Sequence, residues 1–233
     1  MAAQSIASRP RRPQQAEPDD AILARVLQFT EWARRNVVIV VGVVVALAVL
    51  IGGLLWWRAD RAQRLENAAI EFLQVEQAVL SGDEGIATQQ LQVFIQEHSG
   101  TPYADEARVL LAQVHLRGDR AAQAIEVLTP LAAQMDDSPV GVQAALLLAS
   151  AQQAAEDDEA AIQTYLNVAD ESEVVFRQQE ALVGAALLRQ ESSDWAGAAE
   201  LYRRLVETTE EGSTQRAVFE MRLAEAEAQA QAS

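Results

Sequence analysis

The hydrophobic positions of the chain form two patterns, one uniformly apolar run and a long region in which apolar residues recur at helical spacing. Residues 37–57, VVIVVGVVVALAVLIGGLLWW, carry no charge. As a helix rising ~1.5 Å per residue, the run extends for about 31 Å, which matches the roughly 30 Å apolar thickness of a bilayer. The run therefore predicts a transmembrane helix, because a buried core helix is rarely apolar on every face over this length.

A cleaved signal peptide is the alternative interpretation of this run, with Ala46-Leu47-Ala48 as the small-residue cleavage site. We favour an uncleaved anchor, because the apolar run continues from Ala48 to Trp57 and 36 residues precede it. Gly42, Ala46 and Gly53 share one face of the predicted helix. We expect that face to pack against a second transmembrane helix, although small residues are also ordinary in membrane spans.

A period of 37 residues organises the chain after residue 57 and indicates a structural repeat. Four small residues mark the period: Ala87, Ala124, Ala161 and Ala198. A large residue follows each of them by four positions, namely Leu91, Leu128, Tyr165 and Tyr202. Another follows by seven positions, namely Phe94, Leu131, Val168 and Leu205. Such a stripe is typical of a helix face packed closely on a neighbour. Twelve positions before each alanine stands a small residue of a preceding helix: Val75, Ala112, Ala149 and Ala186.

Capping and turn residues keep the same period. Pro102 and Pro139 are 37 residues apart and follow Thr101 and Ser138, a pairing typical of helix starts. Turn signals lie at 81–83, 118–119, 156–158 and 192–194. We predict helices at 59–81, 84–98, 102–117, 120–135, 139–155, 158–170, 174–191, 195–208 and 213–231, the first continuing from the membrane helix.

The predicted fold is all-α, with one N-terminal transmembrane helix followed by an α-α superhelical array of about four hairpins and a capping helix. One hairpin cannot bury its apolar faces alone, but a stack can. In the capping helix, Val218, Met221 and Leu223 are expected on one side, with Glu220, Glu225 and Glu227 elsewhere. We predict a disordered tail at 1–20, an amphipathic juxtamembrane helix at 21–36, the span at 37–57 and the repeat domain at 58–233. The segment 21–36 alternatively extends the transmembrane helix.

Charge is distributed unevenly along the chain. Residues 1–36 carry six Arg and four Asp or Glu, whereas residues 58–233 carry twelve Arg and thirty Asp or Glu, a net charge of −18. A domain this acidic is repelled by phosphate backbones, so we expect no nucleic-acid partner. Arg counts beside the two ends of the span are equal. Because long domains translocate largely regardless of charge, we favour a cytoplasmic N-terminus with the C-terminal domain on the opposite side of the membrane.

No pattern of catalytic residues is present in the sequence. There is no Cys, and the two histidines, His98 and His115, fall in no metal-binding motif. We assign His98 to a helix C-terminus and His115 to a packing position. The acidic run 156–159 lacks the spacing and Gly of a calcium loop. We therefore expect a non-enzymatic protein with no cofactor, no metal and no small-molecule substrate.

The inner face of the first helix of each hairpin is the candidate surface for binding protein partners. Aligning the units places nine residues there: Phe72, Glu76, Val79, Glu106, Gln113, Gln143, Gln153, Glu180 and Gln190. A groove with many Gln and Glu and few aromatic residues suits weak polar contacts with extended or partly folded chains. A solvated groove without a ligand is the alternative.

Residues of the last three hairpins resemble tetratricopeptide repeats. The second hairpin holds Leu111-Ala112, His115, Gly118-Asp119, Ala124-Ile125 and Leu128. The third holds Leu148-Ala149, Ala161-Ile162 and Tyr165, and the fourth Asp194-Trp195, Ala198 and Tyr202. The resemblance implies a protein-interaction module. The sequence departs from the family in its period, 37 residues against about 34, and in the position of the proline.

The whole layout is similar to the ancillary subunit of the SecYEG translocon, of the YfgM type. In that family a short cytoplasmic tail precedes one anchor and a tetratricopeptide-like domain. The resemblance covers about residues 20–230 and implies a periplasmic adaptor or chaperone helper. Its partners would be the translocon, periplasmic chaperones or exported clients. The alternative is an envelope signalling or regulatory protein whose short cytoplasmic tail binds a regulator.

Overall fold

A computed structural model describes residues 34–135 and 138–232 of the chain, and in these residues all regular secondary structure is helical. Their helices are α1 Val37–Leu80, α2 Glu84–Glu97, α3 Pro102–Arg117, α4 Ala121–Ala132, α5 Pro139–Ala154, α6 Asp158–Glu171, α7 Val175–Glu191, α8 Trp195–Thr208 and α9 Thr214–Ala232. The all-α class is thus confirmed. The tail predicted at 1–20, and the juxtamembrane helix predicted at 21–36 as far as residue 33, lie outside the described residues.

Side-chain caps start most of the short helices where the sequence predicts. Thr101 accepts a hydrogen bond from the backbone N–H of Ala104, and Ser138 accepts one from Val140, with a proline directly after each cap. Asp83, Asp157 and Asp194 cap α2, α6 and α8 in the same way. Helix α4 ends at Ala132, three residues before its predicted end. Pro130 in its last turn has no backbone N–H to donate, which weakens the helix there.

The turn inside each hairpin recurs in the same conformation every 37 residues. Gly82, Asp119, Glu156 and Ser193 all have positive φ, between 55° and 82°. In the last three turns the next residue donates a backbone hydrogen bond to the carbonyl five positions earlier, as Asp157 does to Gln152 at 2.9 Å. This is the Schellman ending of a helix, in which a left-handed residue lets the chain reverse. The repeat is therefore present in the backbone as well as in the side chains.

Successive helices from α2 to α9 pack on one another, and α3 also contacts α5. The buried residues form three clusters along the array, over α1–α3, α3–α5 and α5–α9. The four alanines that define the period are at most 2% exposed, which confirms them as packing positions: Ala87, Ala124, Ala161 and Ala198. Small side chains at these places let neighbouring helix backbones approach closely.

Helix α1 carries the apolar run. Among the described residues it is the one helix long and apolar enough to cross a membrane. It continues without a break from Val37 to Leu80, so the helix predicted from residue 59 has no separate start. The chain divides into two compact units after Ala62. Gly42, Ala46 and Gly53 are all exposed, and a Cβ added at either glycine would meet no atom within 4 Å.

The last helix, α9, packs through a different face from the one expected. Phe219 and Ala226 are buried, and Leu223 packs against the same cluster. Val218 and Met221, which were expected on the same side as Leu223, are 45% and 59% exposed. The difference arises because, at 3.6 residues per turn, Leu223 lies about 140° around the helix from Val218, so the three residues do not share one face.

Candidate protein-binding groove

Three of the nine predicted groove residues come together in one cavity of about 300 Å³, which we call the inner cavity. They are Gln113 of α3, Gln143 of α5 and Glu180 of α7, from the first helices of three successive hairpins. The remaining lining residues are Leu146, Leu147 and Ser150 of α5, Tyr165 of α6 and Arg177 of α7. The cavity combines amide and charged groups with an apolar wall, a combination suited to holding a peptide by a few polar contacts.

Tyr165 reaches the inner cavity because its neighbour on α7 has no side chain. A Cβ placed on Gly184 would lie 2.8 Å from the tyrosine ring. In the two preceding units this packing pair is Leu with Leu, namely Leu91 with Leu110 and Leu128 with Leu147. The third unit replaces it with a large and a small residue. The phenol oxygen lies 3.3 Å from the Ser150 hydroxyl, so a polar group closes one end of the apolar wall.

The charges of the inner cavity form a local pair. The guanidinium of Arg177 donates to the carboxylate of Glu180 at 2.8 Å, and both side chains are more than a third exposed. Such an exposed pair contributes at most about 1 kcal/mol to stability, so a ligand can separate it at little cost. Arg177 also lines a second cavity of about 490 Å³ with Met135, Pro139 and Val142. Beside it the side chains of Val174, Val175 and Phe176 are more than half exposed.

The other six predicted groove residues do not line the inner cavity. Phe72 and Val79 are buried in the first core cluster, where the Phe72 ring lies 5.7 Å from that of Phe94. Glu76 and Glu106 are half-buried, and Gln153 is exposed. The amide oxygen of Gln190 accepts a hydrogen bond from the Tyr202 hydroxyl at 2.9 Å, and burial raises the pKa of that tyrosine, which favours the donating phenol.

Tyr165, Leu147 and Arg177 line the inner cavity but are not among the residues predicted from the sequence. A signal for Tyr165 was present in the repeat register. Gly184 stands where the two preceding units have Leu110 and Leu147. Tyr165, one helix earlier, stands where the same units have leucine, so both positions change together in the third unit. A paired change of this kind indicates two side chains that share one space.

The two histidines lie in structural surroundings. His98 ends α2, as predicted; its ring packs 4.5 Å from the Phe94 ring, and its Nε2 lies 2.6 Å from a carboxylate oxygen of Glu71. Together with Glu97, these residues bring possible metal ligands within 4.8 Å of one another, and His98 Nε2 is already paired with Glu71.

His115 is 6% exposed, which confirms its packing position. The side chain of Arg120 donates to its Nδ1 at 3.2 Å. Burial, reinforced by the positive charge of Arg120, lowers the pKa of His115. The imidazole is therefore held neutral as a hydrogen-bond acceptor, a structural arrangement that needs no ligand.

Comparison with known proteins agrees with this architecture. No curated protein matches the chain at a significant level. Residues 30–228, which include the apolar run and all the repeats, match the tetratricopeptide repeat-like domain. Domains of this kind are typically non-catalytic modules that bind proteins. The chain therefore belongs to the tetratricopeptide repeat-like family.

Proposed function

We propose that this protein is a membrane-tethered scaffold that binds other proteins in the groove formed by α3, α5 and α7. The observation that carries the proposal is the inner cavity, in which Gln113, Gln143 and Glu180 of three repeats converge beside an apolar wall. Amide side chains can donate and accept hydrogen bonds with the backbone of an extended peptide. An apolar side chain of the same peptide can pack against Leu146 and Leu147.

The apolar run at 37–57 would serve as the anchor, and the domain from residue 58 onward would carry the groove. The family match begins at residue 30, before the run, which supports the run as part of the functional protein and not a discarded leader. We place the anchor in a bacterial inner membrane with the repeat domain in the periplasm. Tethering keeps the groove at a high local concentration near proteins that emerge from the membrane.

Within this role we favour an adaptor or chaperone helper of the YfgM type, working beside the Sec translocon and periplasmic folding factors. The order of tail, span and repeat array supports it, and so does a groove whose polar lining suits unfolded clients of varied sequence. The net charge of −18 after residue 57 suits clients with basic segments and disfavours nucleic acid.

The test is photo-crosslinking in native membranes. A photo-reactive residue replaces Gln143 in the inner cavity, and the matched control places the same residue at Gln123, an exposed position on α4. We expect translocon components, folding factors or exported proteins to be captured from position 143 and not from position 123. Equal capture from both positions would contradict the groove as the binding surface.

A deletion of residues 1–30 separates the adaptor from the alternative, a regulator that acts through its cytoplasmic tail. The adaptor should keep its captured partners after the deletion, because its groove is untouched. Capture of cytoplasmic factors alone, lost on deletion, would replace the adaptor by the regulator.

A further inference from the structure

Helix α1 has two apolar faces after residue 63, and α2 covers one of them. The covered face consists of Ala68, Phe72, Val75 and Val79, all in the first core cluster. On the opposite side lie Ile70, Leu73, Gln77 and Leu80, which we call the free stripe. The three apolar side chains of the stripe are 56%, 62% and 77% exposed in chain order, and Gln77 is exposed as well.

The repeat register indicates that Ile70, the first residue of the free stripe, stands at a packing position whose neighbouring hairpin is absent from the described residues. Ile70 corresponds to Ala107, Ala144 and Ala181, each 0% exposed. Ala107 packs in a cluster with α1 and α2, and Ala144 packs in one with α3 and α4, so this position faces the preceding hairpin. The first hairpin has no preceding one among the described residues. Its residue there is the larger Ile, flanked by Leu73, and a polar cap would be expected instead if the face met water.

The spacing of the free stripe fits self-association. Its members follow one another at intervals of three, four and three residues, which is the spacing of a and d positions in a parallel two-stranded coiled coil. Gln77 then occupies an a position, where a single polar residue fixes register and oligomeric state at some cost in stability. We propose that two copies of this chain pair in parallel through the free stripe of α1.

The charges beside the stripe favour a second copy as the occupant. In a parallel pair, Glu76 of one copy faces Ser81 of the other, and Ala69 faces Gln74, so no acidic residue opposes another between residues 69 and 81. Glu66, at the preceding d position, would lie opposite itself and therefore marks where the close pairing ends. In a domain of net charge −18, a strip without opposed acids from residue 69 to residue 81 lowers the like-charge repulsion between two copies. The exposed residues of α9 lack this pattern, because Val218 and Met221 are followed by Arg222 and Glu225.

Single-cysteine crosslinking of the full chain in membranes tests the pairing directly, because the natural sequence contains no cysteine. Leu73→Cys and Leu80→Cys place a thiol at d positions, which lie opposite themselves in a parallel pair. We expect both variants to form a disulfide-linked dimer under mild oxidation, whereas Gln123→Cys, on an exposed site of α4, does not. Equal crosslinking at all three positions would overturn the proposal, because it would report random collision.

Charge substitution tests the same interface by affinity. Ile70→Glu with Leu73→Glu would bury four carboxylates in the dimer. We therefore expect the dissociation constant of the dimer to rise about 100-fold or more. Energy transfer between labelled full-length chains in micelles measures it. The matched control is Val218→Glu with Met221→Glu, an equally exposed pair on α9. Circular dichroism should show unchanged helix content in both.

Two outcomes of the affinity test would overturn the proposal, and a third would come from purifying the full chain and its variants out of native membranes. The first is a monomeric parent chain, and the second is a dimer that both double variants retain, which would assign pairing to the membrane span. The third is the loss of a different protein from the first double variant without any change in self-association, which would assign the stripe to that protein.

Discussion

Gly184 shows how one missing side chain shapes the groove. We expect Gly184→Ala to lower the free energy of unfolding by about 1–3 kcal/mol, because the new methyl group would lie 2.8 Å from the Tyr165 ring. Urea denaturation measures the change. Gly85→Ala is the control, since a Cβ there would meet an Asp83 oxygen at an ordinary 3.4 Å, and the helix should gain up to about 1 kcal/mol.

The double variant Gly184→Ala with Tyr165→Leu distinguishes a steric conflict from a general intolerance of α7. It returns the pair toward the leucine–leucine packing of the two preceding units. We therefore expect most of the lost stability to return. A double variant less stable than Gly184→Ala alone would show that the ring and the glycine do not share one space.

Because His115 is buried, we expect the free energy of unfolding to fall in acid. Its pKa is lowered in the folded chain by burial and by Arg120, so near and below its usual value of about 6.5 the unfolded chain binds the proton more readily. The contribution of neutral His115 is therefore complete above pH 6.5 and declines as the pH falls through that value toward the folded pKa. Urea midpoints at pH 7.5 and 5.5 should differ more for the parent than for His115→Gln, and an equal difference would contradict the prediction.

At the scale of the element, the turns inside the hairpins carry strain that the first of them avoids. Gly82 has φ of 82° in the first turn, whereas Glu156 has φ of 62° at the same repeat position. This left-handed conformation is less stable by roughly 1–2 kcal/mol for a residue that carries a Cβ. We expect Glu156→Gly to raise the free energy of unfolding by about 0.5–1 kcal/mol in thermal or urea unfolding. Glu159→Gly, in the first turn of α6, should lower it by a similar amount.

Element boundaries could be predicted from the sequence because capping residues and a fixed period both mark them. Pro102 after Thr101 and Pro139 after Ser138 locate two helix starts correctly. The residues that line the inner cavity could be predicted only in part, namely Gln113, Gln143 and Glu180. Phe72 and Val79 were assigned to the inner face by aligning the repeats, as was Glu76 on the same helix. Such an alignment shows which residues are equivalent, but it does not show how each helix is rotated about its axis. That rotation depends on side chains of neighbouring helices, and in α1 it turns Phe72 toward Phe94.

At the scale of the whole molecule, the buried residues of the described part form several hydrophobic clusters along the array, and neighbouring clusters share a helix. Each cluster joins a hairpin to the next, and α3 and α5 each contribute to two of them. The stability of such an array is approximately a sum of hairpin and interface terms. A change at one interface is therefore felt mainly by the two hairpins that share it, which lets the close helix contacts be tested one at a time.

Ala124 and Ala161 provide that test, since both are 0% exposed at the same repeat position of α4 and α6. Replacing either by Leu adds three carbon atoms where neighbouring helices approach closely, and we expect each variant to lose about 1–3 kcal/mol or more. Because the two sites belong to different clusters, the double variant should lose nearly the sum. Ala122→Leu, at an exposed site of the same α4, should stay within about 0.5 kcal/mol of the parent. Thermal unfolding followed by circular dichroism measures the stability of all four variants. Parental stability in both buried variants would mean that these helices do not cross closely. The groove of α3, α5 and α7 would then lack the scaffold that positions it.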